Sequence, residues 1–204
     1  MAPSIRPEDE RFALESQVRE CFGRVAYTHK THEKMAERHA RGFRNVKWLQ
    51  IILSALTAGG AIGVIFDKAS PWLPYATAAL SIATLILNSY MKDLDPGAAA
   101  QKHREAASDV WNVREAYLSL LTDIRDPAIP LDVLRKRRDG LQASLHNIYR
   151  AAPHTDGTAY AEAQDALKNR EDLTFSDEEI DKFLPASLRR SSGSPKEASS
   201  PASA

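Results

Sequence analysis

Two uncharged apolar runs, 48–66 and 72–91, stand almost back to back, separated only by Asp67, Lys68, Ala69, Ser70 and Pro71. A helix rises about 1.5 Å per residue, so runs of this length match the ~30 Å hydrocarbon core of a bilayer. Neither run contains Asp, Glu, Lys, Arg or His; a charged residue near the midplane would cost roughly 2.5–3.5 kcal/mol. A link so short permits only an antiparallel return. The pattern predicts a two-helix transmembrane hairpin.

The flanking segments read as helices throughout. Over 8–47 apolar or small residues recur at Leu14, Val18, Cys21, Phe22, Val25, Met35, Ala36, Phe43 and Val46, close to a 3.6-residue period. No proline interrupts between Glu8 and the first run, so this helix is expected to enter it without a break. Asp95-Pro96-Gly97 permits a kink after the second run. A helix over 98–126 follows, with a stripe of Ala99, Ala106, Val110, Val113, Tyr117, Leu120, Leu121 and Ile124, stopped by Pro127 and Pro130. The next, 131–151, carries Leu134, Leu141, Leu145 and Ile148; a shorter one at 158–170 carries Tyr160, Ala163 and Leu167. Ser176-Asp177-Glu178-Glu179 opens a last short helix to about Leu184 as a capping box.

No period-two pattern occurs, so the fold class is all-α: a transmembrane hairpin with an antiparallel cytoplasmic helical bundle of coiled-coil character. The expected organisation is an amphipathic cytoplasmic helix at 1–47, the hairpin at 48–91, a cytoplasmic helical region at 92–186 and a Ser/Pro/Ala-rich disordered tail at 187–204. The narrow apolar stripes oblige the cytoplasmic helices to cover one another or a neighbour.

Charge sets the orientation. Lys34, Arg38, Arg41, Arg44 and Lys47 precede the first run, Lys92, Lys102 and Arg104 follow the second, and the link holds only Lys68. Both termini are therefore expected on the cytoplasmic side of the cell (inner) membrane. Trp48 and Tyr90 fall at one interface and Trp72 and Tyr75 at the other, with Ser70 a cap and Pro71 in the first turn of the second run. The polar first 47 residues do not suit the leader of a cleavable signal peptide. Overall, 27 Lys+Arg balance 27 Asp+Glu, so no global field recruits nucleic acid. The single cysteine, Cys21, excludes an internal disulfide and reads as a packing residue in a reducing compartment.

Phosphate loops, dinucleotide fingerprints, zincin pairs and nucleophile elbows do not occur, and we expect no enzyme, no cofactor and no catalytic residue. The chemistry lies inside the apolar runs. Thr77, Ser81, Thr84 and Asn88 recur at helical spacing on the second run, and Gln50, Ser54 and Thr57 on the first. Polar groups in hydrocarbon seek partners or water. They are either hydrogen-bonding glue within the hairpin or the uncharged lining of a pore formed by several hairpins. Ala55, Gly59 and Gly63 form a close-packing ridge, either against Ala79 and Ala83 of the same chain or against another copy. His29, His32 and His39 share a helix face, with His103 on the expected partner helix; they read as ordinary amphipathic interface residues, the alternative being metal binding or pH sensing. Arg135-Lys136-Arg137-Arg138 reads as a solvated or leaflet-facing basic face, or a site for an anionic partner.

Several stretches carry a resemblance. They are Tyr27-x-His29 with Arg38, Arg41 and Trp48, and His103-Arg104-x-x-Ala107 leading to Trp111-x-x-Arg114-Glu115-x-Tyr117-x-x-Leu120-Leu121-x-Asp123-Ile124. Ala152-Pro153-x-Thr155, Ala159-Tyr160-x-x-Ala163 and the run from Phe175 to Arg189 continue it. Over roughly residues 10–190 the chain resembles the SLATT family, SMODS and SLOG-associating two-transmembrane effector domains. The resemblance implies a membrane-embedded effector of a prokaryotic nucleotide-signal-controlled conflict or anti-phage system. It implies a pore-forming or membrane-perturbing action and a partner system: a cyclic-oligonucleotide synthase or a nucleotide-sensing protein. The expected partners are thus the lipid bilayer, further copies of the chain in a homo-oligomer, and that system. The competing expectation is a non-conducting membrane anchor or scaffold presenting a helical docking platform, with a channel accessory subunit as a third.

Overall fold

A computed structural model describes residues 6–66 and 71–190, with backbone alone at 7, 93 and 94. The described residues are helical and contain no strand, so the fold is all-α. Helix α1, Pro7–Phe66, is one uninterrupted rod of 60 residues, about 90 Å long. It continues from the amphipathic segment into the apolar one because neither proline nor a turn intervenes. Glu8, Asp9 and Glu10 in its first turn face the positive end of the helix dipole.

Helices α2, Leu73–Leu94, and α3, Pro96–Ile124, run back along α1. As the position on α1 advances from Arg11 through His32 and Gln50 to Gly63, the residue facing it retreats from Ile124 through His103 and Asn88 to Leu73. One antiparallel register therefore serves both helices, across the break between them. That break is the expected one. Asp95 sits at φ 28°, ψ 67°, a left-handed conformation that Asp tolerates better than most residues. Its carboxylate accepts the Ala98 N–H at 3.0 Å and so caps α3, whose first residue is Pro96.

The core lies where α1, α3 and α4 (Leu131–Ala151) meet. Leu14, Val18, Cys21 and Val25 of α1 bury against Val110, Val113, Tyr117, Leu120 and Ile124 of α3 and Leu134 of α4. Cys21 takes the packing role assigned to it. Leu141, Leu145 and Ile148 of α4 stay half-buried at the edge of this core. Arg11 secures its far end: the guanidinium donates to the carbonyls of Ile124, Asp126 and Ile129 at 2.8, 3.0 and 2.7 Å. Those carbonyls belong to the last turn of α3 and the following loop, where backbone acceptors lack helical donors.

The basic run of α4 makes exposed contacts to neighbouring helices. Arg135 reaches Glu10 at 3.0 Å, Arg137 pairs with Asp123, and Arg138 donates to Gln17 at 2.7 Å. Three of its four cations thus reach α1 or α3 from a face that stays solvated, with Arg135, Lys136 and Arg137 exposed, as the solvated-face expectation has it.

The chain divides at Gln164 and Asp165 into two compact units, the second much the smaller. Helix α5, Gly157–Lys168, crosses that boundary, with Ala159 and Ala163 buried and Tyr160 exposed. In the second unit α6, Asp177–Phe183, begins with the expected capping box: Ser176 accepts the Glu179 N–H while Glu179 accepts the Ser176 N–H. A 3-10 turn at Ala186–Leu188 and the bond from Arg190 N–H to Asp181 at 3.0 Å extend ordered backbone past residue 187, where the tail was expected to begin. The rest of that tail lies outside the described residues.

Candidate functional site

Within α1 and α2 the polar positions separate into those that face the partner helix and those that do not. Gln50 and Thr57 of α1 and Thr77 and Thr84 of α2 are partly covered, and Gln50 Nε2 donates to Asn88 Oδ1 at 2.6 Å. Thr57, Thr77, Ser81 and Thr84 each donate to the carbonyl four residues back, at 2.8–3.0 Å. Such back-bonding satisfies a hydroxyl inside its own helix. Ser54 and Ser81 are exposed on the flanks. The geometry therefore joins Gln50 to Asn88 and leaves Thr57, Thr77, Ser81 and Thr84 locally satisfied.

The close approach of α1 and α2 uses Gly63 of the expected ridge together with Gly60, which the ridge did not include. Gly60 is the contact glycine: a Cβ built there would lie 2.5 Å from Thr77 Oγ1. Gly63 is next, 3.0 Å from Leu73 Cδ2, whereas Gly59 faces open space and Ala55, Ala79 and Ala83 are exposed. A strict four-residue ridge drifts around a straight helix, so Ala55, Gly59 and Gly63 do not stay on one contact line. Gly60 was the missed residue; its signal was the Gly59-Gly60 pair itself. At the start of α2, Pro74 rather than Pro71 occupies the first turn, and Trp72 holds the cap position without a side-chain bond. Ser70 lies outside the described residues. Trp48, Trp72, Tyr75 and Tyr90 are all exposed on the apolar helices.

A second constellation lies on the α1–α3 seam. His32 Nδ1 and His103 Nδ1 stand 3.0 Å apart, both rings buried. The His39 ring stacks on His103 at 5.4 Å between centroids. His29 bonds through Nδ1 to the Ala107 carbonyl at 3.0 Å and packs on Trp111 at 4.9 Å. The Arg114 guanidinium lies over the same Trp111 ring at 4.5 Å and over Phe22 at 5.1 Å. Among the described residues no three His, Cys, Asp or Glu side chains are arranged to hold a metal ion.

Burial pushes the His32 imidazole down to about 4 from its usual 6.5, reinforced by His103 and His29. His103 is lowered for the same first reason, then by His39. Asp156 lies at the start of α5. Its carboxyl is held below the usual carboxylate range by the Ala159 N–H, then by Arg38, which donates to both of its oxygens at 2.8 and 2.9 Å. Arg38, read from sequence as an orientation charge, is thus a clasp between α1 and α5.

An all-helical chain whose longest helix ends in an apolar segment unburied by the rest of the chain belongs to the helical membrane proteins. Among the described residues α1 is the one helix long and apolar enough by length and composition to cross a bilayer. The chain matches the SMODS and SLOG-associating 2TM effector domain family 4 over residues 14–179, most of its length. It belongs to that family, an effector domain associated with SMODS and SLOG systems. No curated protein and no solved structure matches it.

Proposed function

We propose that the chain is the membrane-perturbing effector of a nucleotide-signalling defence system, acting as a homo-oligomer of hairpins in the cell membrane. Both apolar helices span the bilayer, both termini face the cytoplasm, and the chain performs no catalysis and carries no cofactor. A nucleotide-second-messenger synthase or nucleotide sensor supplies the signal to the cytoplasmic helices.

The observation that carries this reading is the continuity of α1. A single rod joins the buried core around Val18 and Val25 to the apolar segment beyond Trp48, with no break between them. A rearrangement of the α1–α3–α4 packing is therefore transmitted mechanically to Gln50 and Thr57. In the oligomer, Gln50, Ser54, Thr57, Thr77, Ser81, Thr84 and Asn88 line or destabilise the passage.

The Gln50–Asn88 bond favours a second reading. Polar groups satisfied within one hairpin need neither water nor a second copy, as in a non-conducting anchor that displays the cytoplasmic helices for docking. Induced expression in cells separates the two. Dye entry and loss of membrane potential, abolished by Ser81→Leu and Asn88→Leu with protein level unchanged, support the effector. Intact membranes under every inducing condition, with a monomer in native-membrane cross-linking, support the anchor.

A further inference from the structure

We infer that His32, His39 and His103 form a proton-sensitive latch between α1 and α3, closed while the imidazoles are neutral and released by a second proton on the His32–His103 pair. The inference concerns packing and goes beyond the proposed function; it stands whether or not the spans conduct.

The bond itself contains the mechanism. Two Nδ1 atoms 3.0 Å apart can share one hydrogen only if one ring donates and the other accepts. A first proton from solvent enters at Nε2 of the donor ring and leaves the Nδ1–H···Nδ1 bond intact. A second must enter at Nδ1 of the acceptor ring. Both rings then direct N–H groups at each other and carry two positive charges, each ring only 3% exposed. His39, stacked on His103, adds a third site for charge.

The groups around the cluster do not compensate. On α1, Glu33 is bonded to Lys30 at 2.9 Å and sits 3.5 Å from His29 Nε2, Glu37 lines the same cleft, and Arg38 is bonded to Asp156. On α3 the titrating group is His103 itself, and the Arg104 cation lines the cleft shared with His29, Glu33 and Glu37. From the start of α5, Asp156 acts on His103, but its two oxygens are bonded by Arg38. Burial and mutual repulsion already hold His32 and His103 in the neutral form. Below the latch the seam continues through Phe43, in contact range of Gly97, to the Asp95 break, so release would free the return path from the rod near the apolar segments.

The test uses the full chain in lipid nanodiscs, with Cys21→Ala and spin labels at Gly42→Cys and Gln101→Cys, both exposed positions. A side chain at residue 42 meets nothing within 4 Å. Between about pH 7.5 and about pH 3.5, below the value near 4 at which His32 takes up its proton, the inter-label distance should lengthen reversibly by several ångströms. It should stay at its neutral value in the added His32→Gln/His103→Gln background. Where that background lacks helical signal at neutral pH, His103→Gln alone, which keeps an amide opposite His32, must suppress the lengthening. A distance unchanged by acid in the parent, or equal lengthening without the two imidazoles, overturns the latch.

Discussion

Gln50 and Asn88 lie 38 residues apart in sequence and are joined amide to amide at 2.6 Å, the one hydrogen bond found between polar side chains of α1 and α2 among the described residues. In the proposed two-span hairpin, removing one partner leaves the other unsatisfied, whereas removing both does not. Asn88→Leu and Gln50→Leu should each weaken helix association, and the double variant should recover most of the loss. A coupling of about 0.6–1.7 kcal/mol is expected from measured transmembrane pairs. A double-mutant cycle by steric trapping in micelles measures it; strict additivity would show that the pair contributes nothing.

Gly60 and Gly59 should respond oppositely to alanine. At Gly60 the new methyl meets Thr77 Oγ1, which is itself bonded to the Leu73 carbonyl, so the helices must separate. Overpacking of this kind costs about 1–3 kcal/mol, less up to ~1 kcal/mol regained from helix propensity. At Gly59 only the gain applies. Thr77→Ala should rescue Gly60→Ala. Thermal unfolding of the three variants checks the order, which equal effects at the two glycines would contradict.

Stability should fall on acidification through His32. Its depressed pKa leaves it neutral in the folded chain over the interval from 6.5 down to about 4, where the unfolded chain takes up the proton. Proton uptake by the unfolded state lowers stability as pH drops through that window, and none of this loss is present above it. The full gap corresponds to ~3 kcal/mol at most, belonging to the His32–His103 pair as a unit. Denaturant midpoints across that window should show the slope in the parent and a reduced one in His32→Gln.

Arg11 should matter more than the exposed cations of α4. Arg11→Met removes three bonds to backbone carbonyls, at least two of them partly buried, and should cost about 1.5–3 kcal/mol. Arg135→Met removes one half-exposed ion pair to Glu10 and should cost about 0–1 kcal/mol. Hydrogen exchange at Ile124 and Ile129 should accelerate only in the first variant.

Tyr117→Phe should be close to neutral or slightly stabilising. The ring is fully buried, while its hydroxyl makes no geometrically acceptable hydrogen bond; the neighbouring Cys21 thiol is only a weak partner. Burial also holds that phenol up at about 12. Replacing an unpaired buried hydroxyl by hydrogen removes a desolvation cost of about 1 kcal/mol without opening a cavity. A loss beyond ~1 kcal/mol in thermal unfolding would reveal a bond that the hydroxyl makes after all.

Helix identity, the two apolar segments and the capping box at Ser176 were legible in the chain because each depends on local spacing. Periodicity placed Leu14, Val18 and Val25 on one face of α1, and the absence of proline before Trp48 made that helix continuous. The family followed from motifs spread between Tyr27 and Arg189. Pairings between distant residues were not legible. Gly60 rather than Gly59 meets α2, and Arg135, Arg137 and Arg138 find Glu10, Asp123 and Gln17 as partners along the helix edges, because the rotation of one helix against another is decided by packing. His32 and His103 could be assigned to facing helices by pattern. Their 3.0 Å bond exists only because a single register carries α2 and α3 together along α1, and a register is a property of two helices rather than of either alone.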